Sequence, residues 1–132
     1  MNISSNWKEI KGNTNQVYDF ASDLTNMGGL MPEQVVNWQA EKDKCSFTVK
    51  GMTSLSLRIE EQIPGKRLRL VPDGKSPFDF ELLLHLREKT TASCEAMVEV
   101  SAELNPMLAM MAKRPLQNLV DIIVEKLSQK TF

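Results

Sequence analysis

Apolar and polar residues alternate with two different periods along this chain, and the change of period marks out its elements. Near the C-terminal end, Leu108, Ala112, Leu116, Leu119, Val120, Ile123 and Leu127 recur at spacings of three and four, which predicts one amphipathic helix over residues 105–127. Asn105 suits its N-cap and Pro106 its first turn, where a missing N–H costs nothing. Such a helix is about 34 Å long at 1.5 Å per residue. Pro115 removes one internal hydrogen bond and is expected to kink the helix near Met111.

Between Val35 and Leu104 the period is two. Strands are expected over residues 35–42, 44–50, 52–63, 66–72, 78–89 and 93–104, separated by turn residues such as Gly51, Pro64-Gly65 and Asp73-Gly74. The clearest strand places the apolar Phe78, Phe80, Leu82, Leu84 and Leu86 on one side and the mostly polar set Asp79, Glu81, Leu83, His85 and Arg87 on the other. One apolar and one wet face indicate an antiparallel sheet. Ala96, Val98, Val100 and Ala102 repeat the pattern, as do Leu55, Leu57 and Ile59.

The N-terminal segment reads as a strand over residues 2–11, with imperfect alternation. Asn13 and Gln16 resemble a capping box ahead of a short helix carrying Val17, Phe20, Ala21 and Leu24. A second helical piece, residues 25–31, holds Met27, Leu30 and Met31 and is stopped by Pro32. The order is strand, two short helices, six antiparallel strands, one long helix. A twisted meander of seven strands must curl, and the long helix is its natural filler.

Length changes this picture little: 132 residues fit one domain, here 1–132. Net charge is −1, with 16 basic and 17 acidic residues, so the overall balance offers no attraction for nucleic acid or an anionic membrane. Lys66, Arg67 and Arg69 form a small basic cluster, expected on a solvated strand edge. There is no signal-peptide pattern and no run of membrane-spanning length, so the expected location is the cytoplasm. Cys45 and Cys94 lack CxxC spacing and read as buried thiols.

The element order resembles the helix-grip fold of the START/Bet v 1-like (SRPBCC) superfamily over essentially the whole chain. The resemblance rests on the helix from Gln16 to Leu24, on Leu30-Met-Pro32, on the strand from Cys45 to Met52, on the turn from Ile63 to Leu68, and on the Asn-Pro-initiated final helix with an internal proline. It implies an α+β fold: a curled seven-stranded antiparallel sheet around a long C-terminal helix, with two short helices between strands 1 and 2. It also implies a cavity between sheet and helix suited to an apolar small molecule or lipid. The superfamily includes lipid carriers, polyketide cyclases and chaperone-like modules, so fold alone does not choose among them.

Inward positions on the strands make Leu55, Leu57, Ile59, Phe80, Leu82, Leu84, Val98 and Val100 the candidate cavity lining. Met27, Met31, Met107, Met110 and Met111 are a candidate deformable lid, since methionine is flexible and polarizable. Tyr18, off the centre of the first helix's apolar face, and Asn37 are the candidate polar contacts, the former read as a rim or helix-surface residue. His85, the only histidine, falls on the wet face with Glu81 and Arg87, and no metal-ligand spacing surrounds it. Trp7 and Trp38 are expected to anchor packing near sheet edges. No cofactor, metal or catalytic residue is expected. The reading that follows is carriage of an apolar molecule by a monomer or homodimer. The alternatives are a polyketide cyclase- or dehydratase-like enzyme, which needs a polar group in the cavity, and a protein-binding module, which needs a filled core and an exposed apolar patch.

Overall fold

The computed structural model describes residues 1–132. The elements are β1 (Asn2–Ser4), β2 (Lys8–Ile10), α1 (Thr14–Ala21), two 3₁₀ turns (Leu24–Asn26 and Gly28–Leu30), β3 (Val35–Ala40), β4 (Lys44–Val49), β5 (Ser54–Ile63), β6 (Arg67–Pro72), β7 (Phe80–Glu88), β8 (Cys94–Ala102) and α2 (Pro106–Ser128). The strands form one antiparallel sheet in the order β1-β8-β7-β6-β5-β4-β3, with β2 also paired to β8. The first of the seven expected strands, residues 2–11, is therefore present as two pieces, β1 and β2. The second short helix is two single 3₁₀ turns. The architecture is the helix-grip arrangement expected from the pattern.

Local chemistry explains the helix ends. The Asn13 side chain accepts from the Gln16 backbone N–H and the Gln16 side chain accepts from the Asn13 N–H, both at 2.9 Å, so the capping box is reciprocal. Asn105 Oδ1 accepts from the Leu108 N–H at 2.9 Å, and Pro106 opens α2. The helix runs through Pro115 unbroken.

The first strand is divided by a bulge. Ser4 faces Glu99 but Lys8 faces Ala96, so one extra residue is accommodated between them. Ser5 repairs the ladder there: its N–H donates to the Val98 carbonyl at 2.9 Å and its Oγ accepts from the Val98 N–H at 3.0 Å. A second bulge lies in β3, where Asn37 has φ of +57°, a left-handed conformation that asparagine tolerates better than most residues. Each bulge flips the inward parity of the residues after it.

α2 lies over β8, β1 and β2. Its buried face is Ala112, Leu116, Leu119, Val120, Ile123, Val124 and Leu127. Against it pack the inward residues of the sheet, among them Leu57 and Val100 at 0% exposure. Each fully buried aliphatic side chain contributes on the order of 1.5–3 kcal/mol relative to its exposed state. Lys8 and Glu125 form an ion pair that ties β2 to α2.

The basic cluster does not sit at an edge. β6 is an interior strand between β5 and β7, and Arg67 and Arg69 lie on the outer face of the sheet, paired with Glu61 and Glu81. A neighbouring carboxylate on each adjacent strand makes the position favourable there.

Candidate apolar pocket

The space between the sheet and α2 narrows to a pocket near the two 3₁₀ turns. Its lining comes from five directions: Ala21 at the end of α1, Leu24, Met27 and Met31 on the 3₁₀ segment, Trp38, Cys45 and Phe47 on β3 and β4, leucines of β6 and β7 with Val98 of β8, and Leu119 and Ile123 on α2. All 15 lining residues are apolar. The void itself is about 30 Å³, room for only about two water molecules. The pocket is thus closed down by its own side chains.

Of the residues expected from the sequence, the structure brings Met27, Met31, Leu82, Leu84 and Val98 together here. Leu55, Leu57, Phe80 and Val100 are buried in the surrounding core and Ile59 is half-buried against it, none of them on the pocket wall. The methionines do not form one group. Met107 and Met111 are 73% and 60% exposed, with Met111 in a separate groove alongside Met52, Phe78, Leu104 and Leu108.

Neither polar candidate lines the pocket. Tyr18 is not a surface residue: it is buried at 7% exposure, and burial, then the charge of Asp19, raise its pKa. The helix turns it inward because Val17, Tyr18 and Ala21 together form the buried face of α1. Asn37 is exposed at the β3 bulge. His85 lies on the outer face of the sheet with its Nε2 3.1 Å from Glu99 Oε1. Trp7 and Trp38 do stand at the two sheet edges: Trp7 stacks under the Arg87 guanidinium at 3.9 Å, and Trp38 stacks on Phe47 with ring centroids 5.6 Å apart.

Trp38, Phe47 and Cys45 were not among the expected lining. The Trp38 indole sits against the 3₁₀ turn at Gly28, and Met31 and Trp38 are half-buried, touching both the pocket and solvent. A signal for Trp38 existed in its position within a weakly alternating strand, but the bulge at Asn37 reverses parity just before it. Both cysteines are free and buried. Burial pushes the Cys45 thiol up to about 12, partly offset by a backbone hydrogen bond at Leu57, so it stays protonated and unreactive. The lining therefore presents surface for dispersion and area burial and no group poised for proton transfer.

The segment that floors the pocket is fastened to α2. Lys126 Nζ donates to the Met31 carbonyl at 3.1 Å, Gln34 Nε2 donates to the Pro115 carbonyl at 3.1 Å, and Asn118 Nδ2 donates to Gln34 Oε1 at 2.7 Å. These bonds hold residues 31–34 across the helix through backbone carbonyls and polar side chains, none of them through the Met27 or Met31 side chain.

No protein-family sequence model and no curated relative matches the chain. Solved structures do. TTHA0849 from Thermus thermophilus superposes with a TM-score of 0.73 at 15% identity, over 98% of this chain and 95% of that one. A START superfamily protein from Mycobacterium smegmatis gives 0.67 at 12% identity, over 97% of each chain. A truncated norcoclaurine synthase from Thalictrum flavum gives 0.67 at 10% identity, over 99% and 96%. At these identities the likeness is one of fold: the chain has the START/Bet v 1-like helix-grip fold.

Proposed function

We propose that this protein binds a slender apolar molecule, a lipid chain or small hydrophobic ring, in the pocket between the sheet and α2. One observation carries the reading: a pocket at the core of the fold whose 15 lining residues are all apolar. A void of about 30 Å³ admits no such ligand without rearrangement. The residues that can yield are Met27 and Met31, which are unbranched, and Trp38, which is half-buried at the rim. Binding then exchanges their contacts for ligand contacts, and the gain is about 0.8 kcal/mol per ligand methylene removed from water, less the cost of opening. The likeness to a START superfamily protein supports the same reading.

Isothermal calorimetry with decanoic acid, decylubiquinone and 2-naphthol tests it. Saturable binding of any one, with a negative heat-capacity change, is the expected result. No binding of all three, by a protein whose melting curve is cooperative, overturns it.

A second reading, docking onto a partner surface, is favoured by a separate observation: a filled pocket together with the exposed apolar side chains of Met107, Leu108, Met110 and Met111.

A further inference from the structure

The first two turns of α2 present an apolar surface to water. Met107, Leu108, Met110 and Met111 are 73%, 45%, 83% and 60% exposed, whereas the other exposed large apolar side chains, Met1 and Ile63, are at only 36% and 37%. Spacings of three and four set Met107, Met110 and Met111 on one side of the helix, opposite the buried Ala112. Leu108 and Met111 continue into a groove of about 290 Å³ bounded by the Gly51–Thr53 turn, Pro77, Phe78 and Leu104.

Cations outnumber carboxylates around this surface. Lys113 and Arg114 follow it on α2, Lys50 adjoins the Gly51–Thr53 turn, and Lys75 precedes Pro77. All four are exposed, and none is paired with a carboxylate. α2 carries no acidic residue before Asp121. Against these four cations stand two exposed carboxylates, Asp79 next to Phe78 and Glu103 next to Leu104, while Asp73 lies farther off with Lys44 and Ser56. A net charge of −1 for the whole chain hides this local excess of cations.

We infer that this end of the molecule docks on an anionic lipid bilayer, with the methionines and Leu108 entering the headgroup–acyl boundary and the four cations meeting lipid phosphates and carboxylates. Charge complementarity selects this occupant. A second copy bound symmetrically on the same face sets one cation excess against another. A bilayer takes up protruding flexible apolar chains without a shaped socket and supplies the missing counter-charge. The contact is peripheral, because no helix is long and apolar enough to cross a membrane. The inference is independent of ligand binding in the apolar pocket, since the two sites share no lining residue.

Vesicle flotation with the full chain tests it, using phosphatidylcholine vesicles with and without 30% phosphatidylserine, a composition of roughly plasma-membrane anionic content. The expected result is binding to the anionic vesicles that weakens at least about tenfold between 50 and 500 mM salt, as screening of lysine and arginine contacts requires. Met107→Gln/Met110→Gln should reduce binding about tenfold or more at low salt, and Lys113→Gln/Arg114→Gln should reduce both the binding and its salt dependence. In a Trp7→Phe/Trp38→Phe background, Leu108→Trp should shift its emission to the blue on anionic vesicles. Absence of binding to anionic vesicles, or unchanged binding by the Met107→Gln/Met110→Gln variant with an intact melting curve, overturns the inference. A concentration-dependent dimer that this variant abolishes, without vesicle binding, overturns it in favour of a second copy.

Discussion

Trp38 rests edge-on against the backbone of Gly28, so closely that a methyl group on the Gly28 Cα would lie 2.7 Å from the indole Cδ1 and 2.8 Å from Nε1. The contact closes the pocket between the second 3₁₀ turn and β3, and a glycine is what permits it. Gly28 does not adopt a left-handed conformation, so the requirement is steric.

Gly28→Ala should therefore displace Trp38 and lower stability by about 1–3 kcal/mol, the usual range for forcing extra volume into packed structure. In a Trp7→Phe background the Trp38 emission should move to the red. Gly29→Ala is the control: nothing lies within 4 Å of its added methyl, and the substitution should be neutral or stabilising by up to about 1 kcal/mol. Equal melting temperatures and emission spectra for the two variants would contradict the proposed closure.

Ser5 illustrates a different kind of dependence. Its hydroxyl accepts from the buried Val98 N–H at 3.0 Å where the bulge between β1 and β2 interrupts the ladder. Ser5→Ala should leave that donor unpaired and cost about 1–3 kcal/mol. Ser4→Ala, at an exposed neighbouring position, should change stability by less than about 0.5 kcal/mol. Urea denaturation of both variants separates the two outcomes.

Much of this arrangement can be read from the residues alone, and what cannot has identifiable causes. Phe80, Leu84 and Leu86 alternate without interruption, and they are buried as their spacing requires. Asn105-Pro106 and Asn13…Gln16 are local devices whose physics needs no tertiary context, and both form. Trp38 and Ser5 sit beside bulges, where a single extra residue reverses which side faces in, and no local signal marks the reversal. The methionines fail as a group for a third reason. Periodicity places Leu108 on the same stripe as Leu116, but whether a helix end has anything above it depends on how far the sheet extends. Here the cover ends at Ala112, leaving Leu108 45% exposed.

The buried thiols give a chemical test of the core. With its pKa pushed up to about 12, Cys45 is thiolate to only about one part in ten thousand at pH 8, and Cys94 is raised in the same direction by burial. A disulfide reagent should detect no rapid thiol in the native protein at pH 8 and both cysteines after denaturation. The same shifts have a linkage consequence. A thiol that folds with a raised pKa contributes its stability below the unfolded pKa, about 8.5, and that contribution is lost as pH rises towards the folded value. Tyr18, also raised, acts in the same direction near and above pH 10. Stability should therefore fall on alkaline titration, and Cys45→Ala should blunt the fall.

At the acid end the direction reverses. Glu125 has its pKa lowered, first by the hydrogen bond from Lys8, then by the charge of Lys8, with Gln129 adding a smaller contribution. A depressed carboxyl contributes stability that is present above its unfolded pKa, about 4.3, and is lost as pH falls through the lower folded value. Both partners are largely exposed, with side chains 42% and 41% accessible, so the effect is small and screened by salt. What it does is fasten β2, the short piece left by the bulge, to the C-terminal half of α2. Glu125→Gln should accordingly remove part of the acid dependence below about pH 4.5 at low salt, leave stability at pH 7 only slightly reduced, and become indistinguishable from the parent protein at high salt. Hydrogen exchange should localise the difference to residues 8–10 and their partners on β8. An equal loss of protection throughout the sheet would instead mean that this ion pair supports the whole fold and not the β2 segment.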